Sequence, residues 1–215
     1  MQNSSFFSKS YHRNLLERLL NKYKHIIQGK ILDIGSKYRR YDHLFKGEIT
    51  AIDINPDLKY NIIYGDIIAL NFEKNSFDSI ICLEVFQYLE PENIKKGFDE
   101  IHRVLKQNGN VIITLPFYCW EHKDNVRITA KYIREYLNKW NKFKFRIIKI
   151  GNKYTSLYDV LRFSKYEPNR KKLSLFKVFG RYILLILSYL GIKLLNLEYK
   201  EDSFYSGFFL ICTKK

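Results

Sequence analysis

Asp33 and Asp53 each lie at the end of a short apolar run, Lys30 to Ile34 and Ile49 to Ile54, and Asp66 follows a third, Tyr60 to Ile63. A carboxylate at a strand end can accept hydrogen bonds from both hydroxyls of a ribose, the chemistry expected of Asp53. Asp33, two residues before a glycine, suits a ligand that carries an ammonium group. A lone strand-end aspartate is often only a turn residue, but three at consecutive strand ends point to a ligand. The turn after Asp33 reads Gly35-Ser36-Lys37-Tyr38-Arg39-Arg40. A dinucleotide fold needs G-x-G-x-x-G there, so that the pyrophosphate can approach a helix N-terminus. One glycine followed by bulky residues argues against NAD and FAD. A lysine at position 37 is tolerable at negative φ, with its ammonium facing a carboxylate of the ligand.

Further along, His122, Glu84 and Tyr88 are candidates for a general base. His122 has the best chemistry, because an imidazole accepts a proton near neutrality. Arg127 is a candidate to hold a phosphate or carboxylate in a two-pronged grip. The plainer readings are a surface histidine and a surface ion pair. Cys82, Cys119 and Cys212 form no CxxC pair and no metal-ligand spacing, so they read as buried free thiols in a reducing compartment, and no metal is expected.

These residues need elements to position them. Residues 11–27 place leucines and isoleucines at helical spacing, an amphipathic lead-in. Beyond the three runs above, Phe77 to Leu83 reads as a fourth strand. A helix from Pro91 to Leu105 follows, stopped by Asn108-Gly109, then a fifth strand over Val111 to Leu115. Thr129 caps a helix running to Leu137, Phe143 to Ile150 is a sixth strand, and Phe204 to Cys212 a last one. Strands apolar on both faces and separated by helices imply a doubly wound, mainly parallel α/β sheet. Such sheets bind ligands beyond the carboxyl ends of their strands, where Gly35, Asp53 and Asp66 fall.

The chain has 215 residues, about one domain, with 46% hydrophobic and 27% charged residues, ordinary for a soluble globular protein. The formal charge is +15, but residues 1–130 contribute only +2 and residues 131–215 contribute +13. That asymmetry points to an anionic partner: phospholipid headgroups, a phosphorylated substrate or nucleic acid. After Pro168 the run NRKKLSLFKVFGRYILLILSYLGIKLLNL starts basic and becomes apolar. Only eleven uncharged residues separate Arg181 from Lys193, too few to cross a bilayer. Residues 154–200 therefore read as a helical insertion that either packs on the domain, forms a dimer surface over 173–197, or rests on an anionic membrane through 169–200. The first residues lack the basic start and apolar core of a secretory signal, so the expected location is cytoplasmic, with peripheral placement on the inner membrane face.

The segments ILDIGS, AIDINP, YGDI, NSFDSIICLEVFQYLEP and FDEIHRVLKQNGNVIITLP occur in that order. Together, over about residues 28–140, they resemble a class I S-adenosylmethionine-dependent methyltransferase of the methyltransferase type 11 group. Glu100, Arg103, Val104, Leu105 and Lys106 reproduce that family's most specific phrase. The resemblance implies a seven-stranded Rossmann-like sheet and S-adenosyl-L-methionine as cofactor. It assigns Asp33, Gly35, Ser36 and Lys37 to the methionine end, Asp53 with Ile54 to the ribose, and Asp66 with Ile67 to the adenine. Leu83 and Glu84 would line the cofactor near its sulfonium. Three positions depart from the pattern: Lys37 replaces a glycine, Asn108 and Asn110 flank a single Gly109, and Gln87-Tyr88 stands where Glu-His is common.

Residues 1–215 then form one methyltransferase domain with a helical lead-in over 1–28. EHKDNVRITAKYIREYL resembles a stretch common in members from glycan-biosynthesis clusters, and the resemblance implies a small-molecule acceptor or a sugar or lipid-linked glycan acceptor, methylated at oxygen. His122 or Tyr88 would take the proton and Arg127 would bind the acceptor. No D/N-P-P-Y/F motif follows the fourth strand, where the chain reads Cys82-Leu83-Glu84-Val85, which argues against methylation of nucleobase amines. Methylation of RNA by another arrangement, and a non-catalytic scaffold that keeps the fold, stand as alternatives.

Overall fold

Apolar runs of β-branched residues build one seven-stranded sheet in a computed structural model that describes residues 9–117, 124–163, 175–199 and 203–215. The strands are β1 (Gln28–Ile34), β2 (Lys46–Asp53), β3 (Ile62–Tyr64), β4 (Phe77–Leu83), β5 (Leu105–Pro116), β6 (Phe143–Ile150) and β7 (Gly207–Lys214). Their order is β3-β2-β1-β4-β5-β7-β6, and β3/β2, β2/β1, β1/β4 and β4/β5 pair in parallel. The expected doubly wound layout is present, and the chain reverses direction across the sheet between β1 and β4. That reversal is where such folds bind ligands.

The helices are α1 (Tyr11–Tyr23), α2 (Ile94–Val104), α3 (Ala130–Trp140), α4 (Lys153–Phe163) and α5 (Leu175–Leu194). The chain divides into two compact units, residues 19–149 with 208–215, and residues 1–18 with 150–207.

In the larger unit, the second half of β1, most of β4 and the Val111–Pro116 half of β5 are buried, as the centre of a parallel sheet requires, whereas residues 28–30 of β1 and 107–108 of β5 are exposed. α2 buries Ile94, Phe98, Ile101 and Val104. Phe98 stacks against Phe86 at 4.6 Å and Tyr136 of α3 at 5.4 Å. The Thr129 hydroxyl accepts from the Tyr132 N–H, the cap expected from sequence. Two readings need correction. α2 ends at Val104 rather than at Asn108-Gly109, because Leu105 is already extended and begins β5. The three crossovers linking β1 to β4 contain no α-helix, only short 3₁₀ turns and loops, so the expected alternation of strand and helix holds only beyond β4.

In the smaller unit, the Asp159 carboxylate of α4 accepts from the Tyr11 and His12 N–H groups at 2.5 and 2.9 Å, and so caps the start of α1. Glu198 receives the Tyr11 hydroxyl at 2.6 Å and the Lys193 ammonium at 2.8 Å. Tyr11, Tyr158, Leu185 and Ile192 form the buried cluster beneath these polar ties. Among the described residues, no helix is long and apolar enough to cross a membrane.

Candidate functional site

The Gly35 turn is fixed by the neighbouring strand. The N–H groups of Gly35 and Ser36 both donate to the Ile52 carbonyl, at 2.8 and 3.1 Å. Gly35 has φ +74°, and a Cβ there would lie 2.3 Å from Val85 Cγ2. Glycine is thus required twice, for its backbone and for the close approach of the chain leaving β4. Lys37 is also left-handed, at φ +50°, as is Arg39. The negative φ required of Lys37 from sequence is not what the turn adopts, so the position has kept a glycine conformation without a glycine, at a cost of about 1–2 kcal/mol. The Lys37 ammonium lies 5.6 Å from the Tyr38 ring centroid.

No helix follows this turn. Arg39 takes over the task of holding the crossover. Its Nε donates to Asp42 at 2.6 Å, and its guanidinium reaches the carbonyls of Ile49, Tyr60 and Asn61. Sequence reasoning missed this clamp, whose one local signal was the i, i+3 spacing of Arg39 and Asp42. Without a helix N-terminus, and with the N–H groups of residues 35–39 already engaged, the anionic end of a ligand has the Lys37 side chain to meet and no helix dipole.

Asp33 and Asp53 come together beside this turn. Asp33 Oδ2 accepts the Ser36 hydroxyl at 2.6 Å. Its Oδ1 has no hydrogen-bond partner among the described residues. Burial is the main reason its pKa is pushed up to about 6, and the nearby Asp42 and Asp53 charges add to the rise. Asp53 accepts the N–H of Lys37 at 3.3 Å and of Asn55 at 2.9 Å, one on each oxygen. That leaves lone pairs on both oxygens and fixes the carboxylate's orientation. Asp66 lies one residue beyond Gly65, whose N–H donates to the Asp53 carbonyl at 3.1 Å. The Asp66 carboxylate accepts from Ile68 N–H at 3.1 Å, and Ile67 is buried. Ile54 is exposed beside Asp53. None of the three acids forms an ion pair among the described residues, although the chain carries 37 Lys and Arg.

At the end of β4, Leu83 is half-buried and Glu84 is left-handed at φ +57°, its N–H held by Thr114 of β5. Val85 beside it fills the space over Gly35. Tyr88 is 44% exposed on the following turn. Asn125 joins that turn to the loop after β5. Its side chain donates to the Tyr88 carbonyl at 3.0 Å and to Glu90 at 2.9 Å, and its N–H donates to the Gln87 carbonyl at 2.8 Å. Gln87 is buried, and its Oε1 finds no hydrogen-bond partner among the described residues. Arg127 pairs with the buried Asp124 carboxylate and reaches the Phe117 carbonyl, so its guanidinium already holds its own loop together. His122 and Cys119 lie outside the described residues, whereas Cys82 and Cys212 are buried free thiols, as expected. Among the described residues no cluster of acids, histidines and cysteines could hold a metal ion.

The site therefore offers an unpaired, partly desolvated acid at one strand end and a second, pre-oriented acid at the next. Ile54 is exposed beside them, and the half-exposed Tyr88 lies past the end of the next strand, β4. This donor set fits a molecule with a cationic end, a ribose and an aromatic base, and S-adenosylmethionine is such a molecule.

Comparison with known proteins agrees. Residues 32–113 match the model of the methyltransferase domain family, Methyltransf_11. An uncharacterised protein of Methanocaldococcus jannaschii is 30% identical over 104 residues, 45% of this chain and 45% of that one, so the match spans less than half of that relative. A SAM-dependent methyltransferase from Archaeoglobus fulgidus superposes with TM-score 0.59 at 15% identity, over 97% of this chain and 96% of the other. Phosphoethanolamine N-methyltransferase 2 of Haemonchus contortus, solved with S-adenosyl-L-methionine, gives 0.55 at 17% identity, over 94% of this chain and 52% of that one. The [4+2]-cyclase SpnF gives 0.59 at 14% identity, over 99% and 85% of the two chains. These likenesses establish the fold, and the cyclase illustrates that the fold does not name the reaction. The matched segment and the strand order agree: residues 32–113 match the methyltransferase domain family, and the chain carries the class I S-adenosylmethionine-dependent methyltransferase fold.

Proposed function

We propose that the protein is an S-adenosylmethionine-dependent methyltransferase whose acceptor is a hydroxyl of a sugar or lipid-linked glycan. The observation that carries the cofactor half is the pair Asp33 and Asp53, two acids without ion pairs on adjacent strand ends in a strongly basic chain. When bound, the cofactor supplies a methyl group on a sulfonium, an electrophile with its leaving group in place.

The chain's own residues have four tasks. Asp33 receives the ammonium on its unengaged oxygen, and the incoming positive charge draws its pKa back down. Asp53 receives the ribose hydroxyls, held ready by the Lys37 and Asn55 N–H groups. Lys37 provides the positive charge near the cofactor's carboxylate that a helix N-terminus would otherwise provide. The β4 and β5 loops align the acceptor and exclude water, the main contribution a protein can make to an in-line displacement. If the nucleophile is a hydroxyl, His122 or Tyr88 removes its proton. Arg127, paired with Asp124, acts on the acceptor through the loop it braces.

The glycan reading rests on the sequence likeness of residues 121–137 and on the basic, apolar composition of 169–200. The phosphoethanolamine enzyme on the same fold makes an amine acceptor the first competitor. RNA is a further one, given the +13 charge beyond residue 130.

Thermal unfolding with S-adenosylhomocysteine tests the cofactor half. Ligand at a hundred times its dissociation constant adds about 2.7 kcal/mol, a shift of about 5–11 °C for a domain of this size. The shift is expected with S-adenosylhomocysteine, absent with NAD, and lost in Asp53→Ala. No shift at millimolar ligand would put the scaffold reading in its place. Tritium transfer from labelled cofactor to lipid-extractable glycan, to small amines or to RNA then separates the acceptors.

A further inference from the structure

The cofactor site does not account for α5. Its buried side presents Leu185 and Ile192 to Tyr11 and Tyr158, with Tyr189 packed alongside. The other side is apolar as well. Ile183, Leu187, Leu190 and Leu194 follow at i, i+4, i+7 and i+11, with Leu184 and Ile186 flanking them, and all six are 42–79% exposed. An apolar stripe three helical turns long, left in water, marks an interaction surface. The only charged side chain described within this stretch, Lys193, is turned to Glu198.

The charges around the stripe select its occupant. Residues 169–200 hold seven Lys and Arg against the single acid Glu198. Arg170, Lys171 and Lys172 immediately precede α5, and Lys177 and Arg181 lie in its first two turns. A second copy of the chain would bring the same excess positive charge against itself. An anionic surface would neutralise it. A helix with an apolar stripe and a cationic approach, too short in its uncharged run to span a bilayer, is built to lie in the headgroup region. We propose that α5 docks the protein on an anionic lipid bilayer. Its apolar stripe enters the acyl boundary, and the excess positive charge of the sequence over residues 169–200 favours anionic headgroups. The proposal is independent of the cofactor and of the identity of the acceptor.

The test is sedimentation of the full chain with vesicles, either phosphatidylcholine alone or with a third phosphatidylglycerol. Binding is expected to the anionic vesicles, about tenfold weaker to neutral ones, and reduced by salt. Leu187→Asp with Leu190→Asp should lower binding about tenfold or more without changing the circular dichroism melt, since both side chains are exposed. If that variant fails to fold, R170Q/K171Q/K172Q takes its place, because it leaves the Leu175–Leu194 sequence of α5 unchanged and should abolish the preference for anionic vesicles. Absence of binding to either vesicle, or equal binding by the folded stripe variant, overturns the proposal. So does a dimer in sedimentation velocity that the stripe variant dissociates, which would show a second copy on that face.

Discussion

Charged residues sit at both ends of the parallel strands, and their treatment differs. At the carboxyl ends, Asp33 and Asp53 are held by a hydroxyl and by backbone N–H groups, and neither forms an ion pair among the described residues. At the other end Asp78 and Glu100 each have a cation. Asp78 accepts the Lys106 ammonium at 2.7 Å and the Lys30 N–H at 2.8 Å, which hold its carboxyl below the usual range. Glu100 is gripped by Arg103 at 2.6 and 2.8 Å and accepts the Leu70 N–H, while Arg103 also donates to the Leu70 and Phe72 carbonyls. The comparison separates architecture from chemistry. The sequence phrase that identifies the family most specifically contains Glu100 and Arg103, and here it ties α2 to the loop after β3. The acids proposed to bind the cofactor are the ones without an ion pair among the described residues.

The largest effect should come from Gly35→Ala. The new methyl meets Val85 and the backbone must stay left-handed, a combined cost of about 3 kcal/mol. S-adenosylhomocysteine should then give no thermal shift. Full stability with lost binding would mean that Val85 yields, and that the turn serves the ligand alone. Next, Arg103→Ala removes four hydrogen bonds, leaving Glu100 without its cation and the Leu70 and Phe72 carbonyls without that donor. Since the guanidinium is about one-third exposed, a loss of about 2 kcal/mol is expected. The cofactor dissociation constant should change less than about threefold, as distant sites add independently. A large change in affinity would erase the distinction between the two ends.

Asp33→Asn should act in the opposite sense. Burial raises the Asp33 pKa in the folded protein from 3.8 to about 6. A raised folded pKa means that its contribution to stability is fully present below the unfolded value and is lost as pH rises through the folded one. The ligand-free protein should therefore lose about 2 kcal/mol between pH 4 and 6 from this group, a figure reduced for its partial exposure. Asp33→Asn removes the loss, so the variant should be more stable than the parent at pH 8 while binding the cofactor at least about tenfold more weakly. Melting curves from pH 4 to 8, with calorimetric titration of S-adenosylhomocysteine, check both. A variant destabilised at pH 8 would show that the charge serves the fold.

How much of this was legible follows the same division. FDSIICL and FKFRIIKI bound β4 and β6 to the residue, because each run is flanked by residues that cannot continue it. The strand-end acids were legible for a related reason: topology alone brings successive strand ends together. What escaped the sequence depends on long-range partners. Lys214, second from the end, is 4% exposed and donates to Asn75 and to the carbonyls of His102 and Leu105. Its acceptors are more than a hundred positions away, and a terminal lysine is normally solvated. The missing helix after β1 was hidden because eleven residues, Gly35 to Phe45, are long enough for one. Only the Arg39 clamp shows why an open loop holds there instead.

Lys37 is the residue where the two kinds of site overlap, and its substitution should have the smallest effect and the most direct reading. Lys37→Gly relieves the left-handed strain but adds freedom to the unfolded chain, for a net gain of about 1 kcal/mol. Were strain the whole story, S-adenosylhomocysteine would bind as before or better. If the lysine instead stands in for the helix N-terminus that this crossover lacks, removing its ammonium should weaken binding about three- to tenfold even as the protein becomes more stable. Deleting the ligand's own carboxylate distinguishes the two. Decarboxylated S-adenosylhomocysteine should bind the parent more weakly, and the parent and Lys37→Gly alike. Equal discrimination by both proteins would place the carboxylate elsewhere and reduce Lys37 to a strained residue in a glycine's position.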